Sequence, residues 1–398
     1  MAEHTVIDTR DGYRAAVDLL VAGHGPIAVD AERASGFRYS QRAYLIQMFR
    51  RGSGTFLFDP PAIGRFDELN EAIASDEWVL HAATQDLTCL REVGLDPVSI
   101  FDTELAARLL GMPRVGLGTV VEELLDIHLA KEHSAADWST RPLPEPWLDY
   151  AALDVELLPD LRDAIAGLLD EAGKIEIARQ EFADELTREL AVQRSEPWRR
   201  LSGIHSIRGI RNLAVARELW TSRDALARQL DVAPGRLVPD ASLTAAAKAM
   251  PDSKRALAAM REFTGRASRT ELDRWWAAIE AGRTTEDLPV LRGTGETLPP
   301  PRAWADRNPE ADARLKAARA ALTTVAEELS LPLENLLTPD TLRRVAWAPP
   351  AEITPDSIAE ALARHGARAW QIEATSQSIA QAFVESSQTP DDASEAAS

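Results

Sequence analysis

A chain of 398 residues exceeds one ordinary globular core, so two to four domains are expected. Its 45% apolar and 27% charged residues exclude wholesale disorder, and its single cysteine, Cys89, excludes both an internal disulfide framework and a thiolate zinc cluster. The net charge of −19 speaks against a polyanionic partner, yet the charge is uneven: 18 basic face 35 acidic residues up to position 194, 16 face 10 from 195 to 285, and 10 face 18 thereafter, so the middle segment alone is basic.

In chain order, apolar spacing predicts a helix over Tyr13–Leu20, and the run Ile27–Val29 leads as a strand into Asp30. Ala43–Phe49 and Thr55–Asp59 read as strands joined by the glycine-containing turn "RRGSG", with Glu77–Ala83 and Val98–Phe101 as further strand candidates. Helical periodicity marks Leu87–Val93, Thr103–Leu110, Thr119–Leu125 and Pro146–Leu169, so a mixed sheet flanked by helices is expected. Beyond about residue 175 only helices are read, with an N-cap at Asp240 or Ser242. The Pro- and Gly-rich stretch 289–309 reads as a linker, 310–385 as a further helical set, and 386–398 as a disordered tail. No apolar run is long enough to span a bilayer, and the start lacks a basic flank before an apolar stretch, so a cytoplasmic protein is expected.

Three blocks hold the chemistry: Asp30 and Glu32 in "PIAVDAE", Asp86 in "WVLHAATQD", and Tyr150 with Asp154 in "LDYAALD". Residues two apart on a strand share a face, roughly 6–7 Å apart along it. Residues four apart on a helix lie one above the other, which puts Tyr150 and Asp154 on one face. Asp86 falls where an apolar strand turns into a helix. Four carboxylates gathered without cations repel one another, a conflict that divalent metal removes; hard oxygen donors suit Mg²⁺ or Mn²⁺, and two such ions about 4 Å apart serve phosphodiester hydrolysis. As bare pattern this is weak, because 63 acidic residues make D-x-E pairs common.

The text around the acids adds what the acids alone do not. "VDAERASGFRYSQRAYLIQM", "HAATQDLTCL" and "DWSTRPLPEPWLDYAALDVELLPDL" resemble, in order and separation, the three exonuclease motifs of the ribonuclease D family, in the DEDDy branch of the DEDD exonucleases. The resemblance covers residues 5 to 195 and implies a ribonuclease H-like α/β domain over 1–195 with a mixed five-stranded sheet. It implies metal ligands at Asp30, Glu32, Asp86 and Asp154, a motif tyrosine at Tyr150, and 3′-to-5′ hydrolysis of RNA that releases nucleoside 5′-monophosphates. On this reading Asp30, Glu32 and Asp154 hold the principal metal, Asp30 bridges to a second, Asp86 completes the site directly or through water, and Tyr150 orients the attacking water or accepts its proton. The basic stretch 208–288, carried by "LWTSRDALARQLDVAPGRLVPDASLTAAAKAMP", is similar to the HRDC domain, a helical bundle that commonly binds nucleic acid, and 310–385 suits a second, diverged copy.

Two departures stand out. Motif I of the family carries Thr between its acids and an aromatic after the second, where this chain has Ala31 and Arg33, and the acidic surface works against RNA affinity. Arg33 is read either as a phosphate contact or as a surface arginine. Arg141 is read as a phosphate contact or as the partner of a local carboxylate, and His81 as a substrate group or a satisfied core imidazole. Trp138 reads as a core or lid anchor, Cys89 as a core thiol, and the pair Trp275 and Trp276 as closing the bundle core. Arginines 199, 200, 208, 211, 217, 223 and 228 either line a phosphate-binding surface or are helix faces paired to Glu218 and Asp224. No G-x-x-x-x-G-K-[ST] occurs, which excludes an ATP-driven helicase. The expectation is a metal-dependent exoribonuclease acting on tRNA precursors or other structured RNA, with a DNA exonuclease on the same fold and a non-catalytic RNA-binding scaffold as rivals.

Overall fold

The computed structural model describes residues 4–129, 135–188, 195–291 and 298–388. Its N-terminal part is built on six strands: β1 (Val6–Ile7), β2 (His24–Arg33), β3 (Ala43–Arg51), β4 (Gly54–Phe58), β5 (Trp78–Leu80) and β6 (Ile100–Asp102). They lie in the order β1-β4-β3-β2-β5-β6. The β2–β3 and β3–β4 pairs are antiparallel and the other three parallel, which makes the sheet mixed. The expected count of five is corrected to six among the described residues, because β1 spans two residues and exists through its pairing with Leu57 and Phe58. So short a strand has no periodicity to read in sequence. In the β3–β4 turn, Gly52 and Gly54 take φ of +84° and +94°, a region that only glycine enters freely.

Helix α1 (Arg10–Ala22) starts at Thr9, whose side chain accepts from Gly12 N–H. After β5 comes α2 (Leu87–Glu92), and after β6 come α3 (Thr103–Leu109) and α4 (Leu117–Leu125). The helix expected over Pro146–Leu169 is two, α5 (Glu145–Glu156) and α6 (Leu158–Glu171). Pro159 explains the break, since it has no N–H to donate and its ring clashes with the carbonyl four residues back. Helix α7 (Ile175–Thr187) closes this part.

A basic bundle follows, led by α8 (Ile210–Leu230), α9 (Asp240–Ala249) and α10 (Leu272–Thr284). It has its own apolar core, which includes Trp198, Leu201 and Ile207, upstream of the expected start at 208. Gly282 on α10 lets the two long helices touch: a Cβ there would lie 2.5 Å from the Val215 Cα. The N-cap of α9 is Pro239, not Asp240 or Ser242; Asp240 begins the helix and binds Arg223 and the Ser202 N–H instead.

The last helical set comprises α11 (Pro309–Glu328), α12 (Pro339–Trp347), α13 (Pro355–Arg364) and α14 (Ala369–Gln388). It shares one continuous apolar core with the sheet domain. The expected linker 289–309 does not hold to its end: residues 301–307 are helical and Trp304 is fully buried, its ring 4.9 Å from that of Trp347. Proline-rich composition reads as a spacer, but a buried aromatic anchors it. Positions 292–297 of that stretch lie outside the described residues, as does 389–398 of the expected tail, whose first three residues continue α14.

Both helical regions grip the sheet domain. Glu181 on α7 takes two bonds from Arg368, at 2.7 and 2.6 Å, and a third from the Trp370 indole. On the other side, Asp231 accepts from Ser40 N–H and the Tyr44 hydroxyl, Asp224 accepts from the Tyr39 hydroxyl, and Arg236 lies 3.9 Å over the Phe37 ring. The basic bundle therefore rests on the β2–β3 connection, directly after the first acidic block.

Candidate metal-dependent active site

Asp30 and Glu32 stand on one face of β2, in the middle of the sheet, opposite Gln47 and Leu45 of β3. Helix α5 packs over that face, because Leu148, Ala151 and the half-buried Tyr150 join Leu45, Leu57 and Trp138 in a small apolar cluster. This packing brings Asp154 to the strand: ligand atoms of Asp30, Glu32 and Asp154 all lie within 4.8 Å of one another. Asp86, 5% exposed, precedes α2 and hydrogen-bonds the Asp30 carboxyl. The Tyr150 hydroxyl donates to Asp154. The five residues of the three blocks therefore meet in space.

The electrostatics show what this meeting costs. Burial, then the charges of Asp30, Asp154 and Asp86, push Glu32 up to about 10. Burial, then Asp30, push Asp154 up to about 8, against the opposing bond from Tyr150. Asp30 is raised by burial, and Asp86 by burial and then by Asp30. Tyr150 is raised by burial, then by Asp154 and Glu32, so its phenol stays protonated at neutral pH. Such a set of oxygens fits divalent cations, whose charge relieves both the desolvation and the mutual repulsion; Mg²⁺ and Mn²⁺ are the hard ions that this donor set suits.

The other singled-out residues divide. Arg33 follows a register shift in β2 and places its guanidinium 3.8 Å from Asp86, so it leans on the acidic cluster rather than on solvent. Arg141 takes the local pairing: it donates to Asp59 at 2.6 Å and to the carbonyls of Trp138, Thr140 and Tyr44. His81 is satisfied inside the fold by Thr103 Oγ1 at 2.9 Å, and burial lowers its pKa. Trp138 is fully buried beside Trp147. Cys89 is a buried thiol, raised by burial to about 12. Trp275 is fully buried in the bundle core with Trp276 against it.

Among the bundle arginines, Arg199, Arg211, Arg217, Arg223 and Arg228 are tied to carboxylates or carbonyls, including Glu218 and Asp224. Arg200 and Arg208 are exposed, and so are Arg255, Arg261, Arg266 and Arg269, which the sequence reading passes over. It also passes over Asp102 and Gln47, both buried. Asp102 carries a readable signal, an acid between an apolar run and a helical pattern, which is a helix-cap arrangement.

Comparison with known proteins fits this geometry. The 3′–5′ exonuclease family model matches residues 5–170, the HRDC domain model 212–279, and the model of the 3′ to 5′ exonuclease C-terminal domain 297–383. Ribonuclease D of Pseudomonas paraeruginosa is 32% identical over 318 residues, 78% of this chain and 81% of that protein. The chain belongs to the ribonuclease D family. Ribonuclease D of Escherichia coli is 31% identical over 251 residues, 62% of this chain and 66% of that one. Among solved structures, a protein from Bifidobacterium adolescentis superposes with a TM-score of 0.89 at 36% identity, over 96% of this chain and 97% of that one. Escherichia coli RNase D, described as an exoribonuclease involved in structured RNA processing, gives 0.68 at 26% identity, over 91% and 98%.

Proposed function

We propose that this ribonuclease D family member is a metal-dependent 3′-to-5′ exoribonuclease that releases nucleoside 5′-monophosphates, with Asp30, Glu32, Asp86, Tyr150 and Asp154 as its catalytic residues. The observation that supports it most is the convergence of three carboxylates within 4.8 Å, with Asp86 bonded to one of them, in a chain of this family. Asp30, Glu32 and Asp154 would hold one cation, and Asp30 with Asp86 would hold a second. When bound, two divalent ions would supply the Lewis acidity that makes water nucleophilic near neutral pH and offsets charge on the leaving 3′ oxygen. Water adds to phosphorus and gives up a proton to solvent as the P–O3′ bond breaks and O3′ takes up a proton, so the terminal nucleotide leaves with its 5′-phosphate and the RNA keeps a 3′-hydroxyl. Tyr150, held by Asp154, would orient that water.

The substrate reading is RNA with a free 3′ end, such as a tRNA precursor or another structured RNA. Support comes from the basic bundle seated on the β2–β3 connection and from the relative whose structure is described as acting in structured RNA processing. For the chain's organisation we propose an exonuclease domain over 1–195, an HRDC domain over 208–288 and a second, diverged HRDC-like unit over 310–385. The last is supported by its helix order, in which a long helix, a single-turn helix and a second helix after a Pro-Asp joint repeat the arrangement of α8, Pro234–Leu237 and α9.

The test is digestion of a 5′-labelled single-stranded RNA and the matched DNA with Mg²⁺ or Mn²⁺. A ladder shortening from the 3′ end with release of mononucleotide is expected, and Asp30→Ala or Asp154→Ala should abolish it in a folded chain, a loss of at least about 10³-fold. Either variant digesting RNA at the wild-type rate would refute the assignment. Faster digestion of DNA than of RNA would favour the DNA exonuclease.

A further inference from the structure

Asp102 ends β6 opposite Leu80 of β5, is 1% exposed, and belongs to none of the three motif blocks. Its carboxylate accepts four backbone N–H groups. Two, from Glu104 at 2.8 Å and Leu105 at 3.1 Å, open helix α3 and make an ordinary cap. The other two come from a different segment: Ala82 N–H at 3.0 Å to Oδ1 and Ala83 N–H at 2.6 Å to Oδ2. That segment is the turn between β5 and Asp86. Ala82 takes φ of +64°, a left-handed conformation that a residue with a side chain adopts only when its surroundings impose it. The carbonyls of the same two residues then receive Gln85 N–H at 2.9 Å and Asp86 N–H at 3.0 Å. Hydrogen bonds at both the N–H and the C=O of Ala82 and Ala83 therefore tie the turn to the Asp102 carboxylate on one side and to the backbone of Gln85 and Asp86 on the other. On its far side the buried carboxyl of Glu185, on α7, bonds to Asp102.

A helix cap alone needs only the bonds to Glu104 and Leu105. The bonds to Ala82 and Ala83 have a different consequence, because they determine where the 82–86 turn sits and so where Asp86 stands relative to Asp30. We propose that Asp102 is a positioning residue for Asp86: it anchors the β5–α2 turn so that Asp86 meets Asp30, and thereby sets the affinity of the second divalent cation while leaving the Asp30, Glu32 and Asp154 cluster intact. This rests on the nuclease reading above.

Asp102→Asn in the full chain tests it. The amide oxygen keeps the Oδ1 bonds, whereas the amide nitrogen cannot accept from Ala83 N–H. Titration of the folded protein with Mn²⁺ by calorimetry should show the first cation bound as in wild type and the second weakened by about 10-fold or more, the range for groups that orient a metal ligand. The kcat on a short RNA should fall by a similar factor with KM unchanged, and raised Mn²⁺ should restore part of it. Glu185→Gln still offers a donor to Asp102 and should bind both cations like wild type. Wild-type affinity for the second cation in Asp102→Asn, weakening of both cations in parallel, or an equal loss in Glu185→Gln would overturn the assignment. If Asp102→Asn does not fold, amide exchange on the wild-type chain decides: Ala82 and Ala83 N–H should be strongly protected without metal, and exchange at open-loop rates overturns the proposal. A wild type that binds Mn²⁺ but digests no RNA refutes the nuclease reading, whereas an active wild type with an unaltered Asp102→Asn refutes this inference alone.

Discussion

At the scale of single residues, the site is a set of carboxyl groups whose pKa values are raised, without a cation, by burial and by one another. Glu32 at about 10 and Asp154 at about 8 both lie above the ordinary carboxylate range, with Asp30 and Asp86 raised as well. A folded-state pKa above the unfolded value means that the native chain holds more protons, so the stability these groups contribute is complete at acid pH and is lost as pH rises through the folded values. The metal-free protein should therefore melt at lower temperature at pH 9 than at pH 6, and saturating Mn²⁺ should remove most of that difference, since a ligand bound only by the folded state stabilises it. A metal-free Tm that rises over this interval would contradict the assigned environment. Tyr150 is held protonated, so Tyr150→Phe should lower kcat by about 10²-fold and leave Mn²⁺ affinity unchanged, as measured by calorimetry beside kinetics. If the variant instead loses metal, Tyr150 acts through Asp154 alone.

At the scale of elements, two contacts decide how the helices serve the sheet. Gly282 on α10 faces the Val215 backbone so closely that any Cβ must push α8 and α10 apart. Gly282→Ala should cost the bundle about 1–3 kcal/mol, the usual penalty for overpacking, and lower the bundle's melting transition without altering the metal site. Asp231 joins this bundle to the β2–β3 connection through Ser40 and Tyr44, with Arg42 at 3.5 Å. Burial opposes its ionisation, but these partners outweigh it and hold the carboxyl below its usual range. A depressed pKa gives stability that is present at neutral pH and lost as pH falls through the folded value. Asp231→Ala should widen the distance distribution between labels on the two domains while each domain stays folded; an unchanged distribution would show that the Tyr39–Asp224 and Phe37–Arg236 contacts suffice without it.

At the scale of the whole molecule, the acidic chain and its basic middle set the terms of RNA binding. The exposed arginines 255, 261, 266 and 269 lie in that basic middle, whose bundle rests next to the first acidic block, whereas most arginines of α8 are already paired. Replacing Arg266 and Arg269 with Gln should reduce the slope of log Kd against log salt by about 1.4 if both meet phosphate of a single strand. An unaltered slope would move the RNA path elsewhere. The last helical set behaves differently, because its apolar core, Trp304 included, is continuous with that of the sheet domain. Trp304→Ala should destabilise this shared core by about 3–5 kcal/mol, visible as a lower Tm of the unit that the last helical set and the sheet domain form together. Among the described residues no helix is long and apolar enough to cross a membrane.

What the amino-acid sequence determined by itself is local. The alternation that puts Asp30 and Glu32 on one face of a strand, the four-residue spacing of Tyr150 and Asp154, the helical character of the chain beyond residue 195 and the family motifs are legible because each depends on neighbours within a turn or a strand. Only the tertiary structure decided what depends on distant partners. Arg141 finds Asp59 and Tyr44 across the fold, β1 exists because β4 pairs with it, Trp304 turns part of an apparent linker into core, and Asp102 reaches back to the turn before Asp86. A buried hydrogen-bond acceptor takes whichever donors the folded chain delivers, and spacing along the polypeptide carries no record of which donors those are.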